Sequence, residues 1–394
     1  MRGDAPGASL RLTALGAAGA CTAAVVSGAS GSSAHRAIAT IALPPLIALV
    51  VAAAWAHRRL LPPAVASLAL FLAAAAAPAR PLHLPLASLA LAATAVLAAS
   101  TFRGRKVPRG SARDYLTLTK PRIMSLLLVT GACGMIVGAR GAPDPGRLGL
   151  MLLGLALACG GASALNHVLD RDIDRLMGPR TAKRPVASGR LTAPRALEFG
   201  IALSACSFAV LASTINLATA ALALAGNLFY VVVYTGYLKR RGPANIVLGG
   251  AAGALPPLVG YAAATGSLAL PALWLFLIVF LWTPPHFWAL ALLLREQYAA
   301  AQVPMLPVVR GERETVNQIV GYTFALVAFT VVPFAAGSLG VLYLVSALGL
   351  GAGFVALAVR LRHNYDRRAA AFVFHYSLLY LALLFAAAAL DVVV

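Results

Sequence analysis

Long apolar runs recur from one end of this chain to the other, and they restrict its fold more than any other feature. A helix needs about 20 mostly apolar residues to cross the hydrocarbon of a bilayer, where no water is present to satisfy backbone polar groups. Candidate spans fall at about 10–30, 37–56, 63–79, 84–100, 122–139, 147–169, 197–213, 216–236, 246–264, 270–294, 319–337, 339–359 and 370–391. The expectation is an all-α, polytopic transmembrane helical bundle of thirteen spans. Composition agrees, with 60% apolar and 11% charged residues, against roughly 45–50% and about 25% in a soluble domain.

The 32 Lys and Arg outnumber the 12 Asp and Glu and give a formal charge of +20. On a soluble chain such an excess suggests nucleic acid. Here the basic residues sit in short clusters between apolar runs, so no nucleic-acid partner is expected, and the partner implied is the lipid bilayer. Cytoplasmic loops collect Lys and Arg. With the N-terminus inside, 28 of the 32 fall on one side, leaving Arg36, Arg80, Arg140 and Arg147 outside. This predicts a multi-pass protein of the cell (inner) membrane, N-terminus cytoplasmic and C-terminus outside. The polar joint between Ser100 and Lys120 is long and separates two hydrophobic blocks. It predicts an N-terminal four-span membrane domain, residues 1–105, and a nine-span domain, 106–394.

Acids are scarce, yet Asp170, Asp172 and Asp174 gather at the inner end of the sixth span. Asn166, Asp170 and Asp174 are spaced i, i+4, i+8, one face of a helix, with Asp172 pointing away. Two carboxylates and a carboxamide offer hard oxygen ligands suited to Mg²⁺, which keeps waters and bridges carboxylates to substrate phosphates. Without a metal they would stack like charges at the edge of a low-dielectric medium. Arg180, Lys183 and Arg184 follow within ten residues of Asp174, a cationic loop suited to a diphosphate. The bland alternative is a solvated helix end whose acids pair with Arg171 and Arg175.

A second inner loop has related spacing. Asp174 precedes Pro185 by eleven residues and Gly189 by fifteen, and Glu296 precedes Pro307 and Gly311 by the same intervals. This reads as a degenerate internal repeat with Glu296 in the place of Asp174 and Leu292 in the place of Asp170. Pro256-Pro257 and Pro284-Pro285 fall near mid-bilayer, where freed carbonyls are tolerated if buried in protein or lining a cavity. Beside the second pair stand Trp282, His286, Phe287 and Trp288. An imidazole at that depth is a candidate functional group.

In order along the chain, several stretches resemble the haem-farnesylating branch of the UbiA-type intramembrane prenyltransferases. They are Thr-Lys-Pro-Arg at 119–122, Asn-His-Val-Leu-Asp-Arg-Asp-Ile-Asp-Arg at 166–175 and Thr-Ala-Lys-Arg-Pro-Val at 181–186. Further on come Tyr-Thr-Gly-Tyr-Leu-Lys-Arg-Arg at 234–241, the glycine-rich stretch 245–260, Trp-Thr-Pro-Pro-His-Phe-Trp-Ala-Leu at 282–290 and Val-Pro-Met-Leu-Pro-Val-Val at 303–309. The resemblance covers about residues 108–394. It implies that Asn166, Asp170 and Asp174 bind farnesyl diphosphate through Mg²⁺ or another divalent cation and are catalytic. It further implies substrate-binding roles for Arg180, Lys183, Arg184, Lys239, Arg240, Glu296, His286 and Trp282, with haem b as the acceptor. The second aspartate-rich motif is reduced to Arg-Glu-Gln-Tyr at 295–298, which puts a second metal site in doubt.

The first hundred residues carry His35 and His83 near the outer ends of alternate spans. This distantly resembles half of a haem A synthase, implying possible haem ligands and a haem A synthase partner; an extra membrane anchor is the alternative. For the nine-span block the competing readings are a prenyltransferase acting on an aromatic quinone precursor and, from another class, a transporter, which broken helices around a midplane polar site would also suit.

Overall fold

A helix that begins at a capping serine and stops at a left-handed lysine opens the nine-span block. The computed structural model describes residues 110–394 throughout and, before them, 13–20, 45–47, 49–50, 61–76 and positions 87, 90, 91, 93, 94, 96 and 97. His35, His83 and most of the first four expected spans therefore lie outside the described residues. Leu61–Ala76 (α1) overlaps the third expected span.

Ser111 caps α2 (Ala112–Thr119): Asp114 N–H donates to its hydroxyl at 3.3 Å, and Ser111 N–H donates back to the Asp114 carboxylate at 2.9 Å. This reciprocal box satisfies donors that a helix start leaves orphaned. Lys120 follows at φ 49°, and Pro121 then starts α3 (Pro121–Ala139), its fixed φ being suited to a first helical turn. The sharp joint lays α2 against α4, with Leu118 buried and Leu116 exposed, and it sets Lys120 at the N-terminal end of α3.

The remaining helices are α4 (Pro145–Leu169), α5 (Arg171–Leu176), α6 (Ala193–Thr214) and α7 (Leu217–Leu228). They continue with α8 (Asn245–Thr265), α9 (Leu270–Leu293) and α10 (Arg295–Ala300). The last are α11 (Gly311–Phe329), α12 (Val341–His363) and α13 (Arg367–Asp391). Among the described residues nine helices are long and apolar enough to cross a membrane, and there is no strand. Neighbours in sequence pack together, and α13 returns to α3, closing a ring. One expected boundary is corrected. The polar stretch 311–318 belongs to α11, not to the loop before it, because Glu312 and Glu314 lie in the first turn, where acids suit the helix dipole.

Lipid is as apolar as leucine, so helices in a bilayer associate by close packing and hydrogen bonds. Gly131, Gly134 and Gly138 line one face of α3, and α8 lies against them. A Cβ built on Gly260 would stand 1.8 Å from the Gly131 carbonyl oxygen, and one on Gly134 2.3 Å from that of Pro257. Likewise Gly161 of α4 meets Gly200 of α6, and Ser207 donates to the Gly154 carbonyl at 2.6 Å. Asn227 Nδ2 reaches the Ala158 carbonyl and Ser204 Oγ, tying three helices; such bonds average about 0.6 kcal/mol each in a membrane.

The proline pairs lie inside continuous helices, both buried. Pro256-Pro257 therefore forms part of the α3–α8 seam, and neither proline pair breaks its helix.

Candidate functional site

The carboxylates at the C-terminal end of α4 depend on how that helix stops. Its last regular residue is Leu169. Asp170 follows at φ −90°, ψ 5°, and α5 then begins. The hydrogen bonds Asp170 N–H to Asn166 O and Asp174 N–H to Asp170 O, both 2.8 Å, carry the chain through the bend. The expected single straight face is thus a bent one, yet Asn166, Asp170 and Asp174 remain together in the interior, 3%, 1% and 1% exposed. Asp172 is turned outward, as its spacing requires.

Three cations close on this group. Lys239 Nζ pairs with Asp170 Oδ2 and Arg184 Nη1 with Asp174 Oδ1, each at 2.5 Å. Lys120 Nζ donates to Asn166 Oδ1 at 3.0 Å. Asn166 Nδ2 donates to Asp170 Oδ2 at 2.8 Å and to Thr235 Oγ1 at 3.1 Å. Two carboxylates against three cations leave a positive surplus in a place where charge is costly. Burial pushes the Lys120 ammonium down to about 7, with Arg184 and Lys239 adding to the effect. Burial also raises the Asp174 carboxyl, against the opposing pull of Arg184.

Two carboxylate oxygens lack partners here, Asp170 Oδ1 and Asp174 Oδ2, as do both ring nitrogens of neighbouring His167. Orphaned buried acceptors call for a missing donor or ion, and two carboxylate oxygens suit a hard divalent cation that takes its other ligands from water and phosphate. No cluster of three or more His, Cys, Asp and Glu able to hold a metal occurs among the described residues, so an all-protein cage is not what this site offers. Asn166 is less available than expected, since its oxygen already accepts from Lys120.

The other sequence-predicted residues are dispersed. Arg180 and Lys183 are exposed on the loop after α5. Arg240 is turned away from the carboxylates, bound to both oxygens of exposed Asp172 at 2.8 and 2.9 Å and to the Leu169 carbonyl; this pairing holds the Asp172 carboxyl down at about 2. A pocket of about 230 Å³ opens beside that pair, between Asp172, Ile173, Leu176 and Arg240 on one side and Ala301, Gln302 and Val303 on the other. It adjoins the buried carboxylates and does not contain them. Trp282 and His286 form a separate group in α9. Their rings stack at 4.3 Å, Phe374 covers the far side of the imidazole at 4.9 Å, and both side chains hydrogen-bond Ser377 of α13.

The internal repeat is present in the backbone but in a different register. Leu294 ends α9 as Asp170 ends α4, and six-residue α10 matches six-residue α5. Tyr298 N–H bonds Leu294 O as Asp174 N–H bonds Asp170 O. Positive φ recurs at Gly178 and Gln302, then at Gly189 and Gly311. The helix break therefore aligns Glu296 with exposed Asp172, and buried Tyr298 with Asp174. Glu296 is exposed accordingly; two fewer residues between Gln302 and Gly311 made the proline and glycine spacings suggest otherwise.

Sequence reasoning passed over Lys120 as a site residue, although its Lys-Pro step at a span entrance was visible. It also missed Thr235. Residues 229–237 form a π-helix, in which Thr235 Oγ donates five residues back to the Tyr230 carbonyl at 2.9 Å and accepts from Asn166. π-turns cluster at functional sites, but no residue pattern announces this one.

Helices long and apolar enough to cross a membrane thus bring paired carboxylates and cations together at one end of the bundle. The chain belongs to the UbiA prenyltransferase family, whose model matches residues 127–384. It is similar to a protoheme IX farnesyltransferase of Symbiobacterium thermophilum, 52% identical over 282 residues covering 71% of this chain and 94% of the relative. Relatives of the same name from Roseiflexus sp. and Thermus thermophilus are 51% and 50% identical over 72% and 73% of this chain. The chain spans about half the length of those two, 53% and 48%. Among solved structures, digeranylgeranylglyceryl phosphate synthase superposes with a TM-score of 0.60 at 19% identity, covering 71% of this chain and 98% of that one. A UbiA homologue from Archaeoglobus fulgidus bound to DMAPP and Mg²⁺ gives 0.53 at 19% identity, covering 70% and 98%. At that identity the fold is what is shared.

Proposed function

We propose that this protein transfers the farnesyl group of farnesyl diphosphate to the 2-vinyl group of protohaem IX, giving haem O and diphosphate. The observation that carries this reading is the pair of orphaned carboxylate oxygens inside a surplus of cations, in a chain half identical to enzymes named for that reaction. Asp170 and Asp174 would hold a divalent cation, as the fold's Archaeoglobus fulgidus representative holds Mg²⁺ with DMAPP. A cation there supplies Lewis-acid withdrawal of charge from the leaving group.

Lys120, Lys239 and Arg184 bind the diphosphate and take up the charge that develops as the farnesyl C1–O bond breaks. Arg180 and Lys183 stand at the exposed rim, where they attract the anion before it is bound. The electron pair of the breaking bond leaves with diphosphate, and the allylic cation is attacked by the terminal carbon of the vinyl group. The haem-side cation then takes up water and loses a proton, completing a hydroxyethylfarnesyl side chain. Closure of the bundle around the site keeps water from the allylic cation until the new bond has formed.

The basic-residue asymmetry supports an inner-membrane protein with the site on the cytoplasmic face. Residues 1–105 we read as a separate membrane domain, with His35 and His83 as candidate haem ligands and a haem A synthase as candidate partner. Membranes containing the protein, given farnesyl diphosphate and either haem b or 4-hydroxybenzoate, should prenylate haem b. Prenylation of the benzoate alone would assign the chain to quinone-precursor chemistry, and Mg²⁺-independent transport with no covalent product would remove the enzyme reading.

A further inference from the structure

Ser377 is wholly buried on α13 and sits at the centre of a small hydrogen-bond chain. Its Oγ lies 2.7 Å from the Phe374 carbonyl oxygen and 2.7 Å from His286 Nδ1, and its own carbonyl accepts from Trp282 Nε1 at 2.7 Å. A serine hydroxyl has one proton and two lone pairs. Two oxygens at 2.7 Å need a proton between them, so the hydroxyl donates to Phe374. The contact with His286 then needs a proton from the imidazole, which places it on Nδ1. A charged imidazolium is disfavoured at this depth in a bilayer, so Nε2 keeps its lone pair. Trp282 and Phe374 cover the two ring faces. The Nδ1 edge is taken by Ser377, and only the Nε2 edge is left to meet a ligand. His286 lies seven residues before the C-terminal end of α9, about 10 Å along the helix at 1.5 Å per residue, within a span long and apolar enough to cross a membrane.

An imidazole whose far nitrogen donates to a fixed acceptor is oriented as metal-ligating histidines are oriented. We propose that Ser377 is a positioning residue that presents His286 Nε2 as an axial ligand to the iron of the haem acceptor, an inference that rests on the haem reading above. It assigns the acceptor side of the reaction to the α9–α13 contact, while the diphosphate side belongs to α4 and its loop.

The test uses the full-length protein in lipid nanodiscs, titrated with haem b and followed by the Soret and charge-transfer bands, alongside KM for each substrate. Loss of an outer-shell partner costs about 10–100-fold in metal affinity, so Ser377→Ala should weaken haem b binding at least about 10-fold. It should also change the ligand-field spectrum in the same sense as His286→Ala. KM for farnesyl diphosphate should not move, and Ser377→Thr, which keeps the hydroxyl, should restore both haem readouts. Iron-free protoporphyrin should bind wild type and Ser377→Ala alike. A wild-type haem spectrum and KM in Ser377→Ala would overturn the proposal. So would an equal rise in both KM values in the Ala and Thr variants, which marks a packing role. Wild-type protein that neither binds nor farnesylates haem b, yet prenylates another acceptor, would instead overturn the haem reading itself.

Discussion

The loops after α4 and α9 share a backbone plan and differ in what they bury. After α4 the chain bends at Asp170, makes six helical residues and turns at Gly178; after α9 it bends at Leu294, makes six and turns at Gln302. In the first copy the buried positions at the bend and one turn on are carboxylates, each with a cation and a spare oxygen. In the second they are half-buried Leu294 and buried Tyr298. Burial pushes that phenol up to about 12, and Arg184 and Asp170 act on it from the first copy. One scaffold has thus been used once to gather buried charges and once as a wall facing them. Shared backbone geometry did not carry shared chemistry with it, which is why loop spacing alone misplaced Glu296.

The largest effect should come from the carboxylates. Asp170→Asn or Asp174→Asn is expected to lower farnesyl transfer by at least about 10³-fold, the upper range for a lost electrostatic stabiliser, with the protein still inserted. Glu296→Gln should change it by less than about 3-fold, as is usual for an exposed group. Equal losses in a haem O product assay would erase the distinction between the copies. Next is Lys120, which has no counterpart in the second loop: Lys120→Met should cost about 10²-fold in kcat/KM for farnesyl diphosphate, the scale of one lost donor.

The same lysine predicts a pH dependence. Its ammonium loses its proton as pH rises through about 7, and kcat/KM reports the free enzyme, so kcat/KM should fall from about pH 6 to about pH 8. Lys120→Arg should flatten that profile. The sign for stability is the reverse. Between about 7 and the ordinary lysine value of 10.5 the unfolded chain binds the proton that the folded one has lost, so ligand-free stability rises with pH across that window.

The smallest effects test the turns. Gly178 has φ 125° and ψ −179°, a region essentially confined to glycine, where other residues cost about 1–3 kcal/mol. Gly178→Ala should destabilise by that amount in a thermal melt. Exposed Gln302, at φ 53°, adopts a conformation that side chains tolerate, so Gln302→Ala should stay within about 0.5 kcal/mol.

Much of this was legible in the residues. Apolar run length located the nine later spans, and the i, i+4, i+8 spacing located Asn166, Asp170 and Asp174. What escaped is what depends on backbone departures from ideal helix. The bend at Asp170 leaves no mark in the hydrogen-bonding periodicity of the sequence. The π-helix that brings Thr235 to Asn166 contains no proline to betray it. Arg240 and Lys239 are adjacent in sequence but part company at a short 3₁₀ turn, so a basic pair sends one member to buried Asp170 and the other to exposed Asp172. Charge counting treats the two as equivalent.

The seam between α3 and α8 bears on how substrates travel. Where a single methyl group on Gly260 would collide with the facing carbonyl, no acyl or isoprenoid chain can part the two helices without unpacking both backbones. The seam is a sealed partition inside the ring. A lipid-soluble substrate arriving from the bilayer has to reach and leave its site without crossing it.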